Sequence, residues 1–216
     1  TLQPDYPRFN MTKLDIDTLA MLRRRVFEMR AVLAPQITLT WNGQIVGESG
    51  ATTRPFKNYI DNFVVADGDL QTDAIMYDRA TNTEPFSKLR IWEVAIIQRC
   101  ATSLPSENIG FVNSQRCPKG KHMEMVIKSL TDAVKKQIRS SRAYPSDLAK
   151  LVTLAGLKKT FVFCVRVLIS QPKFRSQHKD CLAQCDLGWT WKPPPTIIKA
   201  VTTTLTQELK VLRAVK

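Results

Sequence analysis

One amphipathic segment does most to limit the folds open to this chain. Met123, Val126, Ile127, Leu130 and Val134 recur at spacings of three and four, leaving Lys128, Asp132, Lys135 and Lys136 turned outward. That pattern is a helix with one apolar stripe, and the stripe needs a partner layer. Strand candidates lie on both sides of it, at 109–114 and 160–170, and a third at 88–99. Pro193, Pro194 and Pro195 then stop the chain before a last helix, whose stripe is Ile197, Ile198, Val201, Leu205, Leu209 and Leu212. Strands alternating with helices predict an α/β (α+β) layer rather than a helix bundle. No internal repeat is visible.

The first third reads differently. Leu14, Leu19, Leu22, Val26, Met29 and Leu33 predict a helix over 14–33, with Asp15 and Asp17 at its start where the dipole favours acid. Ile37, Leu39 and Trp41 alternate with threonines, and Asn42-Gly43 signals a tight hairpin. Residues 55–65 read as a short helix or turn. The polar, acidic stretch 66–87 reads as a loop or hairpin. A chain of 216 residues can bury one good core, or one domain and part of another. Beginning at Thr1 without methionine and stopping at Lys216 within a helical pattern, the sequence is expected to be a fragment of something longer.

Charge is segregated along the chain. Residues 1–114 carry 12 Lys/Arg against 13 Asp/Glu, and residues 115–216 carry 20 against 6, a balance of −1 and then +14. A half-chain that basic points to a polyanion, most simply nucleic acid, because phosphate contact releases counterions. Five cysteines, Cys100, Cys117, Cys164, Cys181 and Cys185, are an odd number at irregular spacing. They predict reduced thiols rather than a secreted disulfide framework. The longest apolar run, 160–170, is interrupted by Arg166 and is too short to span a bilayer, so no membrane is expected as a partner.

Three constellations invite a chemical reading. Lys135, Lys136, Arg139 and Arg142 gather at a helix C-terminus and beyond it; they serve either the carbonyl end of the dipole or a phosphate-contacting loop. Lys179, after Gln177 and His178, is either solvated surface or a point charge for a phosphoryl oxygen at a strand-to-helix turn. Spacing alone favours the solvated reading. His178, Cys181 and Cys185, with Cys117 or His122, have spacings only loosely like those of zinc ligands, and no metal site is expected. There is no Gly-rich phosphate loop, no Gly-x-Ser-x-Gly and no paired-carboxylate site, so a complete catalytic centre is absent.

Several strings in this order resemble the type IIA DNA topoisomerases of the eukaryotic kind. They are Gln3-Pro4-Asp5, Phe9-Asn10-Met11 and Leu14-Asp15-Ile16-Asp17 with Arg23-Arg24-Arg25; Asn42-Gly43; 56–61; and Trp92-Glu93-Val94. The most specific are Phe111-Val112-Asn113-Ser114 with Lys119-Gly120 and His122, and Phe174, Ser176, Gln177 and Lys179. His178 stands where the family has threonine, the glycine motif is one residue shorter, and Gln137 and Ile138 interrupt the family's lysine run.

The resemblance implies the tail of a GHKL ATPase domain over residues 1–35. Over 36–216 it implies a transducer domain of the ribosomal S5 domain 2-like type, ending in a long helix. It implies that Lys179 touches the γ-phosphate of ATP with Gln177 beside it, and that Lys135, Lys136, Arg139 and Arg142 contact duplex DNA. Further implications are ATP and Mg²⁺ as cofactors of the whole enzyme, a homodimer, and a nuclear or, for a virus, host-cell location. The fragment alone is expected to be inactive. The rival readings are a non-enzymatic basic nucleic-acid-binding module and the transducer of another GHKL ATPase.

Overall fold

The computed structural model describes residues 4–46, 54–61, 76–82, 90–99, 107–145, 148–184 and 191–214. The chain divides into two compact units, Thr1–Tyr59 and Ile60–Lys216.

In the first unit, a 3-10 turn over Pro7–Phe9 precedes helix α1, Ile16–Val32. Asp15 caps α1, its carboxylate accepting the Thr18 N–H at 2.6 Å, which satisfies one of the orphan donors of the first turn. The Thr18 hydroxyl, and after it that N–H, hold the Asp15 carboxyl below its ordinary value. Strands β1 (Thr40–Trp41) and β2 (Gln44–Ile45) form the hairpin expected around Asn42-Gly43. Both turn residues have positive φ, 50° and 79°, the combination that matches the right-handed twist of a two-residue hairpin. Helix α2, Pro55–Tyr59, starts on a proline, which fits the first helical position because no N–H is needed there, and it packs against α1.

The second unit is built on a five-stranded sheet in the order β3-β4-β8-β5-β6. Its strands are β3 (Met76–Asn82), β4 (Arg90–Gln98), β5 (Ile109–Val112), β6 (Gln115–Arg116) and β8 (Phe161–Leu168). Only β5 and β8 run parallel. Two asparagines fasten that pair: Asn108 Oδ1 accepts Phe163 N–H at 3.1 Å and Asn113 Oδ1 accepts Ile169 N–H at 2.9 Å. Of the stretch read as loop or hairpin, 66–87, the described part is β3, an arm antiparallel to β4. Its residues Tyr77, Asp78, Arg79 and Thr81 hide the strand from a hydrophobicity reading, as is common at a sheet edge.

Helices α3 (Lys121–Ser140), α4 (Leu148–Leu151), α5 (Leu154–Thr160) and α6 (Pro195–Ala214) supply the second layer. Between the layers lie Trp92, Val94 and Ile96 of β4, Phe163, Val165 and Val167 of β8, Met123, Val126, Leu130 and Val134 of α3, and Val201 and Leu205 of α6. Burial of each such side chain contributes roughly 1.5–3 kcal/mol. The stripe of α3 falls where the sequence put it. The buried strand expected within 160–170 is β8, and its burial extends to both faces: Val162 and Cys164, like Ala95 and Ile97 of β4, are buried too. A central strand covered on both sides reads as a near-continuous apolar run, here broken only by Arg166.

Trp191 fixes the start of α6. Its ring is buried, its indole N–H donates to Asp78 of β3 at 2.7 Å, and its carbonyl accepts from Ser129 of α3 at 3.0 Å.

A second, three-stranded sheet has the order β7-β10-β9, with β7 at Lys119–Gly120, β9 at Lys173–Phe174 and β10 at Cys181–Gln184. It carries the residues of most interest.

Candidate functional site

Gln177, His178 and Lys179 lie at the tip of the β9–β10 hairpin, all three exposed. The turn therefore joins strand to strand, and the expected strand-to-helix turn is corrected. The tip is tied internally: Lys179 N–H donates to Ser176 O at 3.2 Å, and the Ser176 hydroxyl donates to Asp180 at 3.2 Å. Below the tip, Arg175 N–H donates to Cys181 O at 3.0 Å. Lys179 holds φ at 56°, in the left-handed region where glycine or asparagine is the ordinary occupant. A side chain with a Cβ costs roughly 1 kcal/mol there, so a lysine at this point sits against a local preference.

The hairpin rests on the glycine motif. β10 runs parallel to β7, with Cys181 opposite Lys119 and Leu182 opposite Gly120, and β7 passes straight into α3. Gly120 has φ 118°, and a Cβ there would run into the backbone of Leu182. No other residue lets β10 come so close. Gly110 is equally constrained, since its Cβ would overlap the Cys117 carbonyl, while its own carbonyl accepts Cys117 N–H at 2.7 Å.

His122 closes this knot from the first turn of α3. It is buried, with Nε2 at 3.0 Å from the Cys117 carbonyl; a carbonyl only accepts, so Nε2 carries the proton and donates. Burial holds the imidazole pKa down from 6.5 to about 4, against the smaller opposing effect of that carbonyl. In the unfolded chain the same histidine takes up a proton near pH 6.5. Between pH 6.5 and 4 the unfolded state thus binds more protons, and stability falls as pH falls through that window. The expected loss by pH 4 is about 3 kcal/mol. Chemical denaturation from pH 8 to 4 checks this, with His122→Gln as the comparison that lacks the histidine contribution; parallel curves would refute it.

His122 and Cys117 do meet, as a zinc reading would require, but through the carbonyl and not the thiol. Burial pushes the Cys117 thiol up to about 11 and the Cys164 thiol up to about 12, so neither is poised as a thiolate ligand. Among the described residues no three His, Cys, Asp or Glu side chains form a metal-binding group. Cys100 and Cys185 lie outside the described residues.

Lys135, Lys136 and Arg139 sit in the last turns of α3, and Arg142 in the turn beyond it. The positions expected as a helix end and loop are helical as far as Ser140. Lys136, Arg139 and Arg142 are exposed and Lys135 is half-buried. Asp132, Lys135, Lys136, Arg139 and Ser140 line a shallow depression. The hairpin and the basic end are not brought together. β10 pairs with β7 at the start of α3, and Lys135, Lys136 and Arg139 stand near its other end, roughly 20–27 Å along the rod.

Sequence reasoning missed a buried ion pair between two strands. Glu93 of β4 and Arg166 of β8 face each other in register and form an ion pair, and Tyr77 donates to Glu93 at 2.6 Å. The signal was present: each is a charge in the middle of an apolar strand.

Residues 56–210 match the family model described as DNA gyrase B, well over half of the chain, and the chain belongs to that family, that of the type IIA DNA topoisomerases. DNA topoisomerase 2 of Saccharomyces cerevisiae is 29% identical over 196 residues, covering 84% of this chain and 12% of that protein. DNA topoisomerase 2 of Acanthamoeba polyphaga mimivirus is 26% identical over 207 residues, covering 93% of this chain and 14% of that protein. The chain thus spans about an eighth of these relatives. The fold is similar to part of the structure of the ATPase and transducer domains of DNA topoisomerase II from Balamuthia mandrillaris, with a TM-score of 0.70, 22% identity, and coverage of 98% of this chain and 49% of that one. The ATPase region of Saccharomyces cerevisiae topoisomerase II gives 0.65 and 21%, covering 97% and 48%.

Proposed function

We propose that this chain is the transducer-bearing part of an ATP-dependent type II DNA topoisomerase, relaying ATP binding and hydrolysis to double-strand passage. The observation that carries the reading is Lys179, an exposed ammonium held at a hairpin tip in a backbone conformation that disfavours it. Residues 1–35 are the end of the ATPase domain and 36–216 the transducer. Lys179 contacts the γ-phosphate and Gln177 offers a neutral donor beside it. A compact ammonium and an amide suit phosphoryl oxygens, and they leave the rest of the nucleotide and its Mg²⁺ to residues outside these 216.

The basic end of α3, with Lys135, Lys136, Arg139 and Arg142, contacts backbone phosphates of duplex DNA without reading sequence. The homodimer and the nuclear or host-cell location belong to the whole enzyme. No described helix is long and apolar enough to cross a membrane.

Salt dependence tests the DNA side directly. The fragment is expected to bind duplex DNA weakly, with affinity falling steeply as salt rises. Replacing Lys135, Lys136 and Arg139 by alanine removes up to three phosphate contacts and should lessen the slope of log affinity against log salt by about 2–3. An unchanged slope would mean these cations serve only the carbonyl end of α3.

A further inference from the structure

We propose that Ser176 and Asp180 are positioning residues for Lys179: together they form a clasp across the base of the hairpin tip that holds the lysine ready for a phosphoryl oxygen. This deepens the phosphate-contact reading of Lys179 and rests on it.

The connection from β9 to β10 runs over 175–180, and every residue of it is exposed. With no buried side chain to anchor it, the tip takes its shape from hydrogen bonds. Arg175 N–H donates to Cys181 O at 3.0 Å, and Lys179 N–H closes a four-residue turn on Ser176 O at 3.2 Å. Across that turn the Ser176 hydroxyl donates to Asp180 Oδ1 at 3.2 Å. Asp180 is held from its other end as well, since its carbonyl accepts Lys119 N–H of β7 at 3.3 Å. The clasp thus joins the tip to the strand that leads into α3.

Lys179 lies inside this loop of bonds, with φ at 56°. A left-handed residue after such a turn brings the chain back toward its partner strand, and glycine is its usual occupant. A lysine keeps that conformation only where its surroundings over-determine it. The bond from 176 to 180 does so, because rotating Lys179 out of the left-handed region carries Asp180 away from Ser176. The clasp also has an electrostatic effect. Asp180 follows Lys179 directly, yet its carboxylate is engaged by Ser176, and Lys179 has no ion-pair partner among the described residues. Its ammonium stays free for an anion, on a flexible four-carbon stem whose backbone anchor is fixed beforehand.

The test is a mutant cycle in the full-length enzyme, read as ATP hydrolysis. Ser176→Ala should lower kcat about five- to tenfold, the rate equivalent of one hydrogen bond, with KM for ATP changed by less than about twofold. The melting midpoint should stay within about 1 °C, as the site is exposed. Ser176→Thr keeps the hydroxyl and should restore the rate. In a Lys179→Ala background, Ser176→Ala should have no further effect, because the clasp acts only through that lysine. An equal loss in both backgrounds overturns the proposal, for the serine then serves the fold in general. So does a wild-type rate for Ser176→Ala beside a slow Lys179→Ala, which leaves the phosphate reading standing without the clasp. If Lys179→Ala itself hydrolyses ATP at the wild-type rate, the phosphate reading fails and the clasp falls with it.

Discussion

Lys179→Ala in the full-length enzyme is expected to reduce ATP-driven strand passage by roughly two to three orders of magnitude while leaving the fold intact. Negative charge develops on the transferred phosphoryl group and the leaving oxygen, and a positioned cation near them is worth several kcal/mol. The side chain is exposed at a hairpin tip, so its truncation should change stability by no more than about 0.5 kcal/mol. Glycine makes the sharper comparison. With φ at 56°, Lys179→Gly relieves the left-handed strain and should match or exceed wild-type stability, by up to about 1 kcal/mol, while being as inactive as alanine. Opposite movements of activity and stability are what a residue kept for chemistry shows. Lys179→Arg should rescue poorly, because a planar fork does not fill the place of a compact ammonium. The measurements are ATPase and decatenation rates with thermal melting as control. Near-normal rates for Lys179→Ala would show a merely solvated lysine.

The largest stability effect is expected at Arg166. Glu93 is almost wholly buried, with its two oxygens engaged by Arg166 and by the Tyr77 hydroxyl. Arg166→Leu leaves that carboxylate without its cation in a low-dielectric sheet and should cost about 3–5 kcal/mol, lowering the melting midpoint by roughly 10 °C. Adding Glu93→Leu and Tyr77→Phe removes the stranded charge and hydroxyl together, and should recover most of the loss. Denaturant unfolding of the single and triple variants decides it. A single variant no worse than a surface substitution, within about 0.5 kcal/mol, would mean water reaches Glu93.

Much of the architecture was legible because it is written in local periodicity. The α3 stripe, the Asn42-Gly43 hairpin, the acidic start of α1 and the last helix after three prolines each depend on residues a few positions apart, and the structure has all four. β3 was only half legible, as one arm of a possible hairpin, since an edge strand with polar side chains carries little alternation. The strand at β8 was legible from its apolar run, but its burial on both faces was not. What covers a strand's second face is decided by other parts of the chain.

The candidate site divides along the same line. By itself the sequence determined the residue types: a lysine two positions after a glutamine, glycines at 110 and 120, and cations crowded near residue 140. Only tertiary structure decided that Lys179 sits on a strand-to-strand turn in a left-handed conformation, because that turn is set by β9 pairing with β10 and β10 with β7. Only tertiary structure decided that His122 lies buried against the Cys117 carbonyl, and that Glu93 meets Arg166 across 73 residues of sequence. The physical reason is common to all three. Side-chain chemistry is fixed by covalent structure, whereas the dielectric, the backbone conformation and the partner each residue receives come from segments far away in the chain.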